Sequence, residues 1–126
     1  MDSLSFTAAL DGIPTSRRWV VAWARRAGCP EACVSTIALL TTEAVTNAVR
    51  HGPDRGTVTV AVSRVRGQWR VAVTDQSRGR PVVRDVEPWA LGGRGVMLID
   101  RLAAAWGVDS GRGGAKTVWF HVDCAD

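Results

Sequence analysis

Two short runs of this chain share one apolar parity, with a turn dipeptide between them. Val58, Val60 and Val62 alternate with smaller or polar residues, Trp69, Val71 and Val73 do the same, and Arg66-Gly67 separates the two sets. A period of two places each set on one face of a strand, and the dipeptide closes the two strands as a hairpin. A lone hairpin with one apolar face is not stable in water. The rest of the chain has to cover that face, and the segment before the hairpin has the pattern to do it.

Residues 31–50 predict a long helix. Pro30 suits a first helical turn, and Glu31 is favourably placed against the helix dipole. At about 100° per residue, Val34, Ile37, Leu40, Ala44, Val45, Ala48 and Val49 fall on one broad apolar arc. Upstream, Leu4, Phe6 and Ala8 alternate as a short first strand, and Gly12 and Pro14 punctuate it. Thr15 or Ser16 can cap a helix to about Ala27, with Val20, Trp23, Ala24 and Ala27 inward and Gly28 at its end. Downstream of the hairpin, residues 76–93 have no period but contain Gly79, Pro81, Pro88, Gly92 and Gly93. A loop of that length within a domain is usually functional or disordered. Val96, Ile99, Leu102, Ala103 and Trp106 recur at helical spacing. A last hairpin follows: residues 106–109, a turn with Gly111, Gly113 and Gly114, and a strand over 117–122. The order β-α-α-β-β-loop-α-β-β predicts a two-layer α/β sandwich, a mostly antiparallel sheet covered on one face by helices. With 126 residues and no internal repeat or linker, residues 1–126 are expected to form a single domain.

Composition narrows the function classes. At 46% hydrophobic and 22% charged, the chain is neither a disordered nor a membrane composition. The apolar runs at residues 19–24 and 35–42 are far shorter than the ~20 residues of a bilayer span. Asp2 follows Met1 directly with no basic or apolar leader, so no signal peptide and a cytoplasmic location are expected. The net charge is +4, and every basic residue except Lys116 is Arg. Those charges are scattered rather than gathered in a stripe or tail, there is no Tyr, and the Trp residues sit in apolar patterns. Direct nucleic-acid binding is therefore not expected. Cys29, Cys33 and Cys124 are an odd number, against a disulfide framework. Cys29 and Cys33 with His51 or His121 lack a second pair at zinc-ligand spacing, so buried structural thiols are expected.

Three features carry chemistry. Glu43 and Asn47, four apart, share one edge of the helix arc, half-buried beside the core, where a polar group needs a specific partner. A carboxylate and an amide oxygen one turn apart can face a metal ion and the hydroxyl beside it, although an i,i+4 polar pair facing solvent is the plainer reading. Asp75 stands where the second hairpin strand runs out. A carboxylate there can accept a hydrogen bond from the exocyclic amine of adenine, or simply form a turn. Gly92-Gly93-Arg94-Gly95 directly precedes a helix, where free N–H groups and the dipole favour phosphate and Arg94 can add a charged contact. Two other phosphate motifs are excluded. Residues 111–117 have Ala115 where a P-loop needs Gly, and they precede a strand; Leu98 stands where a dinucleotide fingerprint needs its third Gly.

Taken in order, Glu43/Asn47 on a helix, Asp75 at a strand end, Gly93/Gly95 before a helix and Thr117 in Lys116-Thr117-Val118-Trp119 resemble the GHKL (histidine-kinase-like) ATPase superfamily. The likeness is greatest to its short bacterial branch of anti-sigma-factor serine kinases and ATP-binding regulators. The resemblance implies ATP and Mg2+ as cofactors, with Asn47 as the metal ligand and Glu43 as catalytic general base. It implies that Asp75 reads adenine with support from Thr117, and that Gly93, Arg94, Gly95 and Val96 surround the phosphates. Ser77 occupies the place of the family's usual Gly in Asp75-Gln76-Ser77, which keeps the residue small but restricts the backbone. By resemblance, the partners are ATP or ADP, a sigma factor and a small antagonist protein phosphorylated on Ser, with a homodimer as the family's usual state. The alternative is a non-catalytic ATP-gated protein-binding module. A sensor histidine kinase would need a phosphoacceptor helix pair, and gyrase-like or chaperone-like ATPases a transducer domain, for which the sequence given has no room.

Overall fold

The computed structural model describes residues 2–52, 55–76, 94–111 and 114–124, and for residues 94–96 the backbone alone. The elements in chain order are β1 (Asp2–Thr7), α1 (Gly12–Arg26), α2 (Glu31–His51), β2 (Thr57–Val65), β3 (Gln68–Gln76), α3 (Arg94–Leu102), β4 (Ala105–Ser110) and β5 (Ala115–Val122). The strands form one five-stranded sheet in the order β1-β2-β3-β5-β4, each neighbouring pair antiparallel. This is an α/β fold with an open antiparallel sheet and helices packed on it.

The β2–β3 hairpin forms where the parity pattern places it. Val60 pairs with Val73 and Val62 with Val71, so both apolar sets share one face. Arg66 (φ 51°) and Gly67 (φ 82°) make the turn with two left-handed residues, the twist that suits a two-residue hairpin loop. β5 continues the same face with Val118, Phe120 and Val122, paired with Val73, Val71 and Trp69.

α2 lies on β2, β3 and β5 and also packs against α1 and α3. Val34, Ile37, Leu40, Ala44, Val45 and Ala48 of the predicted arc are buried, and Val49 packs at the edge. With Phe120, Val60, Val71 and Val73 they make a core in which truncating one large side chain to Ala costs about 2–5 kcal/mol. By length and composition α2 could also cross a membrane. Here its apolar arc is taken up by the sheet and α1, as for a core helix.

Three expectations are corrected. α1 begins at Gly12 rather than after Thr15 or Ser16. Pro14 is tolerated in the first turn because the N–H it lacks has no helical acceptor there, and Ser16 is buried inside the helix instead of capping it. α3 stops at Leu102, short of the helical spacing that runs on to Trp106; Trp106 lies in β4, opposite Phe120, where the strand reading of residues 106–109 puts it. The helical spacing from Ile99 to Trp106 therefore spans a change of element; the Trp106 indole N–H still returns to α3, donating to Asp100 Oδ1 at 2.8 Å. Finally, the cysteines are not three free thiols. Cys33 and Cys124 are joined as a disulfide with Cα atoms 6.0 Å apart, and only Cys29 is free. Their separation of 91 residues hides this pairing in the sequence; the sheet register brings the end of β5 to the first turn of α2.

Candidate functional site

Asn47 lies on α2 at the edge of the buried arc. Its Oδ1 is buried and has no hydrogen-bond partner among the described residues. Leaving a buried acceptor unpaired costs about 1–3 kcal/mol, a cost that a ligand at Asn47 would offset. The neighbouring hydroxyls are already used: Thr46 donates to the Thr42 carbonyl at 2.6 Å, and Thr42 donates to the Ala38 carbonyl at 2.9 Å while accepting from Arg17 Nη1 at 3.2 Å. Glu43, one turn before Asn47, is half-buried on the same helix. A neutral amide oxygen is the kind of hard donor Mg2+ takes alongside waters and substrate phosphates, so the residue present fits the metal that the family resemblance implies.

Asp75 is the next-to-last residue of β3 and only 2% exposed. Gly52 and Lys116 lie against it. Gly52, the C-cap of α2, lies against its side chain, so that a β-carbon on Gly52 would stand 3.3 Å from Asp75 Cβ and Cγ. Across the ladder Asp75 pairs with Lys116, whose Nζ is 4.0 Å from Asp75 Oδ2. The end of α2 that carries Asn47 thus meets the strand end that carries Asp75. His51, also at this helix end, is held below the ordinary imidazole range. Loss of hydration is the main cause, and the Lys116 and Arg50 cations add to it against an opposing pull from Asp75.

Thr117 is placed differently from the expectation. Its hydroxyl is 2.7 Å from that of Thr74, its cross-strand partner. Successive residues of a strand point to opposite faces, so Thr74 and Thr117 occupy the face opposite Asp75 and Lys116. The side chain that shares Asp75's face is Lys116. It is recoverable from the sequence, because Lys116 has the parity of Val118 and Phe120, but only once β3 and β5 are known to be neighbours. The sequence offers His51 as a candidate zinc ligand, and only the fold sets it near Asp75.

Ser77 and Gly93 lie outside the described residues, as does the rest of the loop between β3 and α3. Arg94, Gly95 and Val96 form the first turn of α3, whose leading N–H groups have no helical acceptor. α3 packs against α2, the helix of Glu43 and Asn47.

The profile of the histidine kinase-like ATPase domain matches residues 6–121, nearly the whole chain. The chain belongs to that family. Among solved structures, the histidine kinase domain of the blue-light-activated histidine kinase from Erythrobacter litoralis EL346 is 32% identical, with a TM-score of 0.54; the match covers 75% of this chain and 48% of that one. This chain therefore spans about half of that relative. The mycobacterial sensor histidine kinase MprB, at 14% identity, covers 96% of this chain and 97% of its own with a TM-score of 0.51, a likeness of fold. A search of curated proteins returns no match.

As a histidine kinase-like ATPase domain, the protein has an ATP-binding fold, and the geometry divides the labour along it. The α2 end supplies an amide oxygen without a partner among the described residues and a carboxylate one turn away. The β3 end supplies a buried carboxylate able to accept from an exocyclic amine, with a cation on its flank.

Proposed function

We propose that the protein is an ATP-Mg-dependent regulator of the anti-sigma type, a protein-serine kinase that phosphorylates a small antagonist protein and also holds a sigma factor, working in the cytoplasm. The observation that supports this most is the buried Oδ1 of Asn47, without a partner among the described residues, at the helix end that meets Asp75. In this reading the metal ligand and the base reader share one end of the fold.

In this reading Asn47 Oδ1 holds Mg2+ and Asp75 accepts from the adenine amine. Bound ATP-Mg supplies the transferable phosphoryl group. Glu43 accepts the proton of the acceptor Ser hydroxyl, because it stands one turn from the metal ligand and positioning supplies most of what such a base contributes. The same reading assigns Gly93, Arg94, Gly95 and Val96 to the phosphates and Ser77 to the nucleotide, as the family resemblance implies.

The test is label transfer from γ-labelled ATP to proteins recovered from the source cell, with wild type and Glu43→Ala side by side. Acid-stable label on a small partner with wild type, lost in Glu43→Ala at unchanged ATP affinity, is the expected result. Acid-labile, alkali-stable label would place the phosphate on His and overturn the serine assignment. Tight ATP binding with no labelled partner would replace the kinase by an ATP-gated binding module.

A further inference from the structure

The end of the molecule away from Asn47 gathers all three cysteines. Cys29 lies in the α1–α2 connection, Cys33 in the first turn of α2, and Cys124 just beyond β5. Their sulfur atoms all lie within 4.8 Å of one another. Sequence distance did not make this likely, since Cys124 is 91 residues from Cys33. The antiparallel register turns β5 so that Lys116 is at the Asp75 end and Cys124 at the other. Cys33 is roughly 20 Å along α2 from Asn47 at about 1.5 Å per residue.

The geometry points to a reversible three-sulfur redox site, in which Cys33–Cys124 is the disulfide formed on oxidation and Cys29 is a third thiol able to exchange into it. Two sulfurs make one bond, and the third is left within reach of both. Cys33 and Cys124 are half-buried, so reductants and oxidants can approach the bond, whereas Cys29 is buried. Formation needs a two-electron oxidant, taken here as a hydroperoxide. One thiol becomes a sulfenic acid as the peroxide O–O bond breaks and an alcohol or water leaves. The second sulfur then displaces that hydroxyl as water, closing the S–S bond. Exchange needs no oxidant: Cys29 loses its proton and attacks Cys33 Sγ, the Cys33–Cys124 bond breaks, and Cys124 leaves as a thiolate that takes up a proton.

The resting state of Cys29 fits a reserve thiol rather than an exposed nucleophile. Its S–H is directed at the Pro30 carbonyl at 3.6 Å, and burial holds its pKa above the ordinary thiol value against the opposing Arg64 charge. Little thiolate is present at neutral pH, so exchange is slow there and quickens on the alkaline side. The tether matters because it joins α2 and β5 at the ends opposite Asn47 and Lys116. It also closes a long loop of chain, the case in which a cross-link most restricts the unfolded state.

The full chain, reduced and desalted, is treated with equimolar hydrogen peroxide, alkylated and mapped by mass spectrometry. A Cys33–Cys124 disulfide with Cys29 alkylated is expected, and a thermal midpoint about 10 °C above that of the reduced protein. In Cys124→Ser the same treatment yields an intramolecular Cys29–Cys33 bond, and in Cys33→Ser a Cys29–Cys124 bond, both faster at pH 9 than at pH 7. Three alkylatable thiols in oxidised wild type would overturn the site. So would Cys124→Ser giving only intermolecular dimers, since Cys29 would then be out of reach. Stoichiometric binding of Co2+ with thiolate-to-metal absorption that blocks peroxide oxidation would make the trio a metal site and overturn the redox assignment.

Discussion

Gly52 sits against Asp75 at a point where a methyl group would press on the carboxylate side chain and run into the last turn of α2. A β-carbon at Gly52 would stand 2.6 Å from the Ala48 carbonyl oxygen and 3.3 Å from Asp75 Cβ and Cγ. Its φ of −82° is open to any residue, so space and not backbone freedom demands glycine here. Gly52→Ala is expected to destabilise the fold by about 1–3 kcal/mol, the usual cost of overpacking. The same β-carbon presses on Asp75, so ATP affinity is expected to fall by more than the stability loss explains. Denaturant midpoints and calorimetric ATP titration of the still-folded variant check both parts.

Asp75→Asn removes the charge from the proposed adenine reader while keeping its shape. Loss of a charged hydrogen bond costs about 1.5–3 kcal/mol, so ATP binding is expected to weaken roughly ten- to a hundredfold. Preference for ATP over GTP falls with it. Calorimetry with both nucleotides decides the point, since equal affinities in the wild type would remove the adenine assignment.

Asn47 and Thr41 make a paired experiment. Both carry a buried oxygen without a partner among the described residues. Asn47→Ala removes an unpaired acceptor from a helix and adds the best helix former, so stability is expected to hold or rise by about 1 kcal/mol. The Mg2+ dependence of nucleotide binding disappears with it. Thr41→Val likewise holds or gains stability but leaves Mg2+ dependence intact. Unfolding curves and ATP titrations with and without Mg2+ separate the ligand from the structural orphan.

His51 reports on the charges around Asp75. Its pKa lies below the ordinary 6.5 in the folded protein. His121 is displaced in the same direction, by burial and then by Arg70. Below about pH 6.5 the unfolded chain therefore holds more of these protons than the folded one, so stability falls as pH drops through that range. Thermal midpoints are expected to decline from pH 7 to pH 5, and less steeply in a His51→Gln, His121→Gln double variant. In NMR titrations Lys116→Met raises the His51 pKa by removing a cation, and Asp75→Asn lowers it by removing an anion.

Residues whose local pattern is decided by near neighbours were legible in the sequence. The alternation of Val58, Val60 and Val62 with Trp69, Val71 and Val73, the Arg66-Gly67 turn and the α2 arc each follow from a period and a turn geometry, and together with the order of motifs they led to the family. Boundaries were less legible. Trp106 fits a helical and a strand pattern at once, and packing puts it in β4 opposite Phe120; Ser16 fits a cap, yet it is drawn into α1.

What the chain by itself determined is the alternation of faces: Lys116 with Val118 and Phe120, Thr117 with Trp119. What only the tertiary structure decided is which strand lies beside which, and in what register. Setting β5 against β3 puts Lys116, not Thr117, on the face of Asp75, and the same pairing carries Cys124 to Cys33 across 91 residues. Such contacts form when the whole apolar face of the sheet is buried under α2, an energy spread over the core and not lodged in either partner. A local reading of Thr117 or Cys124 therefore has no access to them.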